Sequence, residues 1–172
     1  MFKKHLILIL IVFLTNSSVY STEKNTNSSE VGKGGSENYS YLIAKNSNYK
    51  KGRNALKQAK RYYKKEKMSK AKKRFNDAIK FFTLTNEKYP QDPDILNYLG
   101  YSLKKVDDFI MAEIYYTNGL EFDAKHVGLN TNFGKLYIET NRIDKAKERL
   151  SSLENCSCKE YEELKSLIQK IN

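Results

Sequence analysis

From Tyr41 onward, apolar residues recur at the three- and four-residue spacing of amphipathic helices and do not alternate as they do in strands. Two stretches of this region are similar to each other, one starting at Pro93 and the other 34 residues later at Val127. In that register Leu99 aligns with Phe133, Gly100 with Gly134, Leu103 with Tyr137, Ala112 with Ala146 and Tyr116 with Leu150. A repeat of this length predicts one helical hairpin per copy, stacked on its neighbours, and hence an all-α fold.

Small residues at matching positions explain how each hairpin would close. Gly100 and Gly134 have no side chain, so the second helix of the pair can approach the first closely. Ala112 and Ala146 are small for the same reason on the opposing helix. The larger residues at the remaining aligned positions would then fill the space around these contacts.

A looser copy precedes these two. Ala55 and Ala59 suit its first helix, and Ala71 and Phe75 suit its second. The apolar spacing continues as far as Leu84, which predicts a second helix that is two turns longer than usual. Asp92 and Pro93 then predict a clean start for the next helix, with Asp92 as the N-cap and Pro93 at the first helical position.

The period and the order of small and large residues resemble the tetratricopeptide repeat (TPR). The resemblance implies an all-α, TPR-like α-solenoid over residues 41–172, with about three helix-turn-helix repeats and a C-terminal capping helix. The predicted repeats cover residues 52–92, 93–126 and 127–158, and the predicted capping helix covers residues 158–171. Ser157 and Glu160 predict a capping box for that helix, and Tyr161, Leu164, Ile168 and Ile171 predict its apolar stripe.

The C-terminal end is similar to a group of small exported bacterial TPR proteins, in which two cysteines precede a Glu-Tyr-x-x-Leu helix. Here only Ser157 separates Cys156 from Cys158, which is closer than the spacing in that group. The pair is open to several interpretations: a local disulfide, a redox-sensitive pair, a metal ligand pair or a bridge between chains. His126 lacks a cluster of ligands and is predicted to be a surface residue between repeats.

The N-terminus has the layout of a secretory signal peptide. Lys3 and Lys4 precede an unbroken apolar run at residues 6–14, and small polar residues follow as far as Ser21. A membrane anchor is the alternative, but spanning a bilayer takes about 20 apolar residues. We therefore predict a signal peptide over residues 1–21, cleaved near Ser21, a flexible linker over residues 22–40, and a periplasmic or secreted protein with no transmembrane span after cleavage.

Positive charge is concentrated in one part of the chain, whose formal net charge is +11. Residues 45–74 contain fourteen basic residues and one acidic residue, whereas residues 75–172 have a net charge of −3. Attraction to an anionic envelope surface, either lipid or cell-wall polymer, is one interpretation, and a solvated helix face is the other. Nucleic acid is not the expected partner, because an exported protein rarely meets it.

In the TPR family, the inward faces of the first helices form a concave surface that binds ligands. The resemblance therefore implies a partner-binding site for a protein or peptide made of Arg53, Lys60, Tyr63, Asn97, Tyr101, Lys104, Thr131, Lys135 and Ile138. This polar, aromatic and positively charged set suits an acidic or C-terminal peptide segment. The family's clamp for C-terminal carboxylates is not reproduced, since Leu56, Tyr98, Gly128 and Asn132 occupy its positions and leave only Lys60.

Catalytic signatures are missing from the sequence. It contains no nucleophile–base pair, no paired catalytic carboxylates, no metal-ligand cluster and no phosphate-binding loop. We therefore predict no enzymatic activity, no cofactor and no metal. The predicted function is a protein-interaction scaffold of the bacterial cell envelope, and the alternative is electrostatic association of residues 45–74 with an anionic envelope surface.

Overall fold

A computed structural model describes residues 42–171, in which the chain forms helices and turns. The predicted signal peptide and linker lie outside the described residues. A helical segment at residues 42–45 precedes seven longer helices. These are α1 (Ser47–Lys64), α2 (Met68–Lys88), α3 (Pro93–Lys104), α4 (Phe109–Phe122), α5 (Val127–Glu139), α6 (Ile143–Ser151) and α7 (Lys159–Gln169). Helices α1–α6 pack as three successive antiparallel pairs, and α7 packs against α5 and α6 at the end.

The predicted longer second helix of the first pair is confirmed. Helix α2 has 21 residues, whereas α4 has 14, so the difference is about two helical turns. The added turns bury Phe82, whose ring packs against Gly52 of α1 and stacks on Tyr98 of α3 at a centroid distance of 5.1 Å. The extension therefore joins the first pair to the second.

Side-chain caps set where several helices begin. The Asp92 carboxylate accepts a hydrogen bond from the Ile95 N–H at 2.9 Å, and Pro93 stands at the first helical position, as predicted. His126 lies between two repeats, as predicted, but it is less exposed than a surface residue and has two partners. It caps α5 by accepting a hydrogen bond from the Leu129 N–H at Nδ1, its Nε2 lies 3.5 Å from Asp94, and its side chain is only 19% exposed. It therefore links two repeats.

The three turns inside the helix pairs share one backbone conformation. Glu66, Asp107 and Asn141 each have a positive φ, of 56°, 72° and 57°. The residue after each donates its N–H to a carbonyl five residues back: Lys67 to Tyr62, Asp108 to Leu103 and Arg142 to Tyr137. This is the Schellman ending of a helix. Because Asp107 and Asn141 are 34 residues apart, the hairpins that start at Pro93 and Val127 turn at equivalent positions.

Glycine at the repeated position does permit close helix packing, but the neighbour differs between the repeats. A Cβ atom on Gly100 would lie 2.5 Å from the ring of Tyr116, which α4 buries completely against α3. A Cβ atom on Gly134 would lie 2.7 Å from Leu164 of α7. Helix α6 of the same pair also approaches Gly134, with the Arg149 Cβ atom at 3.4 Å from that position, but the terminal helix makes the closer approach.

The terminal helix follows its predicted stripe as far as its last turn. Leu164 and Ile168 are buried and Tyr161 is half-buried, whereas Ile171 lies beyond the end of the helix and is exposed. The predicted capping box is wrong, because Cys158 is the N-cap and no side chain caps the helix. Ser157 instead lies in the turn before the N-cap, with a φ of 47°, between the two bonded cysteines.

Cys156 and Cys158 form a disulfide, with their Cα atoms 5.1 Å apart. The bond ties the turn after α6 to the N-cap of α7, so it acts locally at the start of the terminal helix. This agrees with the structural interpretation of the pair, while the redox interpretation stays a hypothesis.

Membrane insertion would require a long apolar helix. None of the helices within residues 42–171 has both the length and the hydropathy needed to cross a bilayer.

Adding a side chain at Gly100 should destabilise the protein. In Gly100→Val, the new atoms would press on the buried Tyr116 ring, so we expect the free energy of unfolding to fall by roughly 1–3 kcal/mol. Chemical denaturation followed by circular dichroism measures this change. Ser166→Val, on the exposed face of α7, is the control and should change little. Equal stability of Gly100→Val and the native protein would show that α3 and α4 do not pack this closely.

Candidate peptide-binding groove

A row of cations lies along one face of α1. Arg53, Lys57, Lys60 and Lys64 are exposed and follow one another at intervals of three or four residues, so they share this face. The row borders a cleft of about 360 Å³ against α3, lined by Arg53, Asn54, Leu56, Lys57, Lys60 and Tyr98. We call this cleft and the row beside it the groove.

Two tyrosines of α3 contact cations of the row, and one of them, Tyr98, also lines the cleft. The Arg53 guanidinium lies 4.9 Å from the centre of the Tyr98 ring and also donates a hydrogen bond to its hydroxyl. The Lys60 ammonium lies 4.5 Å from the centre of the Tyr101 ring. Cations attract the negative faces of aromatic rings, so these contacts hold the cations in the groove. Tyr101 in turn packs edge-on against Phe75 of α2.

Mutual repulsion acts on the cations of the groove. Desolvation lowers the pKa of Lys60, and the positive charges of Arg53, Lys135 and Lys64 lower that pKa further. Lys135 of α5 thus contributes to the repulsion that acts on Lys60. Within residues 42–171, no ion pair joins Lys57, Lys60 or Lys64 to a carboxylate. Burial raises the pKa of Tyr101 to about 12, so its hydroxyl stays protonated and can donate a hydrogen bond.

The lysines of α3 and α5 have carboxylate partners, unlike the lysines of the α1 row. Lys104 is buried and its ammonium lies 2.6 Å from the Glu139 carboxylate. Burial lowers the pKa of Lys104, and the contact with Glu139 opposes that shift. Lys135 lies 2.7 Å from the Glu163 carboxylate of α7. The charge that remains available therefore lies at the α1 end of the concave face.

Three other predicted site residues have little free surface. Asn97 is 7% exposed and accepts a hydrogen bond from the Asn132 amide at 2.8 Å. Thr131 is buried and its hydroxyl donates to the Val127 carbonyl at 2.7 Å, while Ile138 packs against the core. A Cβ atom on Gly128 would lie 2.6 Å from the Asn97 amide nitrogen, so this glycine makes room for the bond between α3 and α5.

Tyr63 does not line the cleft beside Arg53 and Lys60. Its ring packs edge-on against Phe75 and lies 4.3 Å beneath the Lys105 ammonium, beside a second cleft at the turn between α1 and α2. The sequence interpretation missed Lys57, which the spacing from Arg53 indicates. It also treated Tyr98 only as a lost clamp residue, because the contact between Tyr98 and Arg53 joins residues 45 positions apart.

A metal centre would need several ligating side chains in one place. Residues 42–171 contain no group of three or more His, Cys, Asp or Glu side chains that could hold a metal ion.

Comparison with known proteins gives structural matches. No family model and no curated protein matches this chain. The TPR domain of Arabidopsis OM64 superposes with a TM-score of 0.54 at 16% identity, covering 73% of this chain and 100% of that one. The chain has the tetratricopeptide-repeat fold. The first TPR domain of Spaghetti (RPAP3), bound to the HSP90 peptide SRMEEVD, has a TM-score of 0.52 at 17% identity and covers 71% of this chain and 94% of that one.

The predicted TPR-like solenoid is thus confirmed, and the groove lies on the first helices of the TPR array. In this fold the first helix of each pair lines the concave face, which is where α1 and α3 bring Arg53, Lys60, Tyr98 and Tyr101 together. Most of the groove therefore comes from the first two repeats.

Removing one cation from the α1 row should stabilise the TPR array slightly. Lys57 is in the middle of α1, one helical turn from Arg53 and from Arg61, and each pair of like charges at this spacing destabilises a helix by about 0.2–0.5 kcal/mol. We expect Lys57→Gln to raise the free energy of unfolding in low salt and to lose this advantage in about 1 M salt, where screening is strong. Denaturation at the two salt concentrations measures both effects. A loss of stability in low salt would show that repulsion along the row does not act on Lys57.

Proposed function

We propose that this protein is a non-enzymatic interaction scaffold whose groove binds an acidic segment of a partner protein. One observation carries the proposal: Lys60 lies over Tyr101 and, like Lys57 and Lys64, makes no ion pair among residues 42–171, whereas the lysines of α3 and α5 are paired. A bound carboxylate would relieve the repulsion that, after desolvation, lowers the pKa of Lys60.

The groove suits acidic side chains better than a free C-terminus. Leu56 and Tyr98 line it where the family's carboxylate clamp has polar residues, and the Asn97 and Asn132 amides are engaged with each other. Aspartate or glutamate side chains along an extended segment could instead reach Arg53 and Lys60 in turn. The acidic HSP90 peptide held by the Spaghetti domain supports the view that this fold accommodates such a segment.

The proposal includes a location. The apolar run at residues 6–14 and the polar residues up to Ser21 are the basis for export, which would place the scaffold in the periplasm or outside the cell. These residues lie outside the described part of the chain, so the envelope role rests on the sequence alone. The partner would then be an envelope or secreted protein.

A second candidate function is electrostatic association with an anionic envelope surface. It is favoured by the basic residues of residues 45–74 that lie outside the groove and are also exposed, which include Lys50, Arg61, Lys65, Lys70 and Lys73. A charge spread over several faces attracts an anionic surface without a specific site. The two functions differ in whether the position of a charge matters.

A peptide-binding experiment tests the proposed function. Random twelve-residue peptides displayed on phage are selected on the full chain, and their affinity is then measured by fluorescence anisotropy. We expect acidic sequences to be enriched. Lys60→Glu should weaken the selected peptides about tenfold or more, because it removes an attraction and adds a repulsion. Tyr101→Ala should weaken them less, because it removes only the platform beneath Lys60.

Lys73→Glu is the matched control. It makes the same change of charge on α2, where Lys73 is exposed and does not line the groove. Unchanged affinity in Lys73→Glu supports a defined groove. Equal losses in Lys60→Glu and Lys73→Glu, together with salt-sensitive sedimentation on anionic vesicles, would contradict the groove and favour surface association. Selection of peptides with no acidic enrichment would contradict both.

A further inference from the structure

Helix α4 exposes large apolar side chains on its outer face. Ile110 is 77% exposed, Phe122 48% and Ile114 44%, and Met111 lies beside them. In α4 the exposed residues are as apolar as the buried ones, which is unusual for a surface helix of a globular protein. Clustered apolar side chains of this kind mark an interaction surface. This surface lies on a second helix of a pair and is distinct from the groove.

The charge around this apolar surface has one sign. Residues 107–124 contain five acidic residues and no lysine or arginine, in a chain whose net charge is +11. Asp107, Asp108 and Glu121 are exposed, although Asp107 lies 3.9 Å from Lys72, and Glu113 is paired with Arg142. The surface therefore favours a partner that combines an apolar contact with positive charge.

The same chain has a complementary cleft at the turn between α1 and α2. The cleft has a volume of about 260 Å³, and its apolar walls are Tyr63, Met68, Ala71 and Phe75. Met68 is 52% exposed and Tyr63 41%, so the cleft is open. Lys72, Lys105 and Asp107 stand at its edge, and Lys65 and Lys67 in the turn beside it are exposed. The cleft offers apolar contact within a rim that is mainly positive.

The two features lie on neighbouring segments. Asp107 borders the cleft, where it lies 3.9 Å from Lys72, and Ile110 follows three residues later on the first turn of α4. A two-fold axis between two copies can therefore bring each Ile110 to the other copy's cleft at the same time. Such a self-complementary contact closes on itself and produces a dimer instead of a filament.

We propose that a second copy of this chain covers the apolar face of α4, with Ile110 of each copy in the α1–α2 cleft of the other. The arrangement places Asp107 and Asp108 of one copy near the lysines around the partner's cleft. Apolar contact provides the affinity, and opposite charges set the register. The cleft of the groove and the α1–α2 cleft have no lining residue in common, so a dimer would present two grooves.

Sedimentation velocity of the purified protein over a range of concentrations tests the proposal. We expect a monomer–dimer equilibrium with no larger species. Ile110→Glu would bury a charge in the contact and should raise the dimer dissociation constant by about tenfold or more. Leu84→Glu is the matched control, because Leu84 is also partly exposed but lies on α2, away from both surfaces. Circular dichroism shows whether each variant remains folded.

Cross-linking tests the predicted pairing directly. Ile110→Cys and Met68→Cys are made in two separate chains that carry different affinity tags. Each chain also carries Cys156→Ser and Cys158→Ser, so that the native cysteines cannot form disulfides with the introduced ones. Mixing the two chains under mild oxidation should give a disulfide between Ile110→Cys and Met68→Cys. A mixture of Ile110→Cys with Leu84→Cys should not.

Either of two results would overturn the proposal. One is a protein that stays monomeric at every concentration, which would leave a basic apolar segment of another protein as the occupant of α4. The other is a dimer that Ile110→Glu leaves intact. Peptide binding in Ile110→Glu should be unchanged, so failure of the dimer is distinguishable from failure of the groove.

Discussion

The contact between the bare backbone of Gly100 and the ring of Tyr116 sets the distance between α3 and α4. The ring is fully buried and occupies the space that a Cβ atom would take. With α4 close behind it, α3 presents Tyr98 and Tyr101 toward α1. Tyr98 rests on Phe82 and Tyr101 on Phe75, so the extended α2 supports both. The geometry of the groove follows from this packing.

Electrostatics then gives the two ends of the array different properties. Toward the C-terminal end, Lys104 of α3 pairs with a carboxylate on α5, and Lys135 of α5 pairs with a carboxylate on α7. These ion pairs join successive helix pairs. Toward the N-terminal end, the α1 cations lie above tyrosines and repel one another. The α1 cations therefore destabilise the free protein, and a bound anion would remove that destabilisation. This is typical of a binding surface.

Much of the fold could be predicted because it depends on local patterns. The 34-residue period predicted the hairpins that start at Pro93 and Val127. Asp92 and Pro93 predicted a helix start, and the continued apolar spacing predicted the long α2. The contacts that were not predicted involve partners distant in sequence. Gly134 packs mainly against Leu164, and His126 reaches Asp94, although neither contact leaves a periodic signal. The Ser157 capping box failed because the disulfide holds that turn in another conformation.

The candidate site was predicted less completely, for the same reason. The resemblance to TPR proteins implied that Arg53 and Lys60 share the inward face of a first helix, and the structure brings them to Tyr98 and Tyr101. Spacing could not show that Glu139 takes up the charge of Lys104, or that Tyr63 turns toward Phe75 and a separate cleft. Which side chains stay free depends on contacts between repeats, and these appear only once the helices are stacked.

Nuclear Overhauser spectroscopy of the folded chain in solution tests the close packing most directly. The account predicts strong cross-peaks between the Gly100 Hα protons and the Tyr116 ring, and between the Gly134 Hα protons and the Leu164 methyl groups. Absence of both sets of cross-peaks in a folded, fully assigned protein would contradict it.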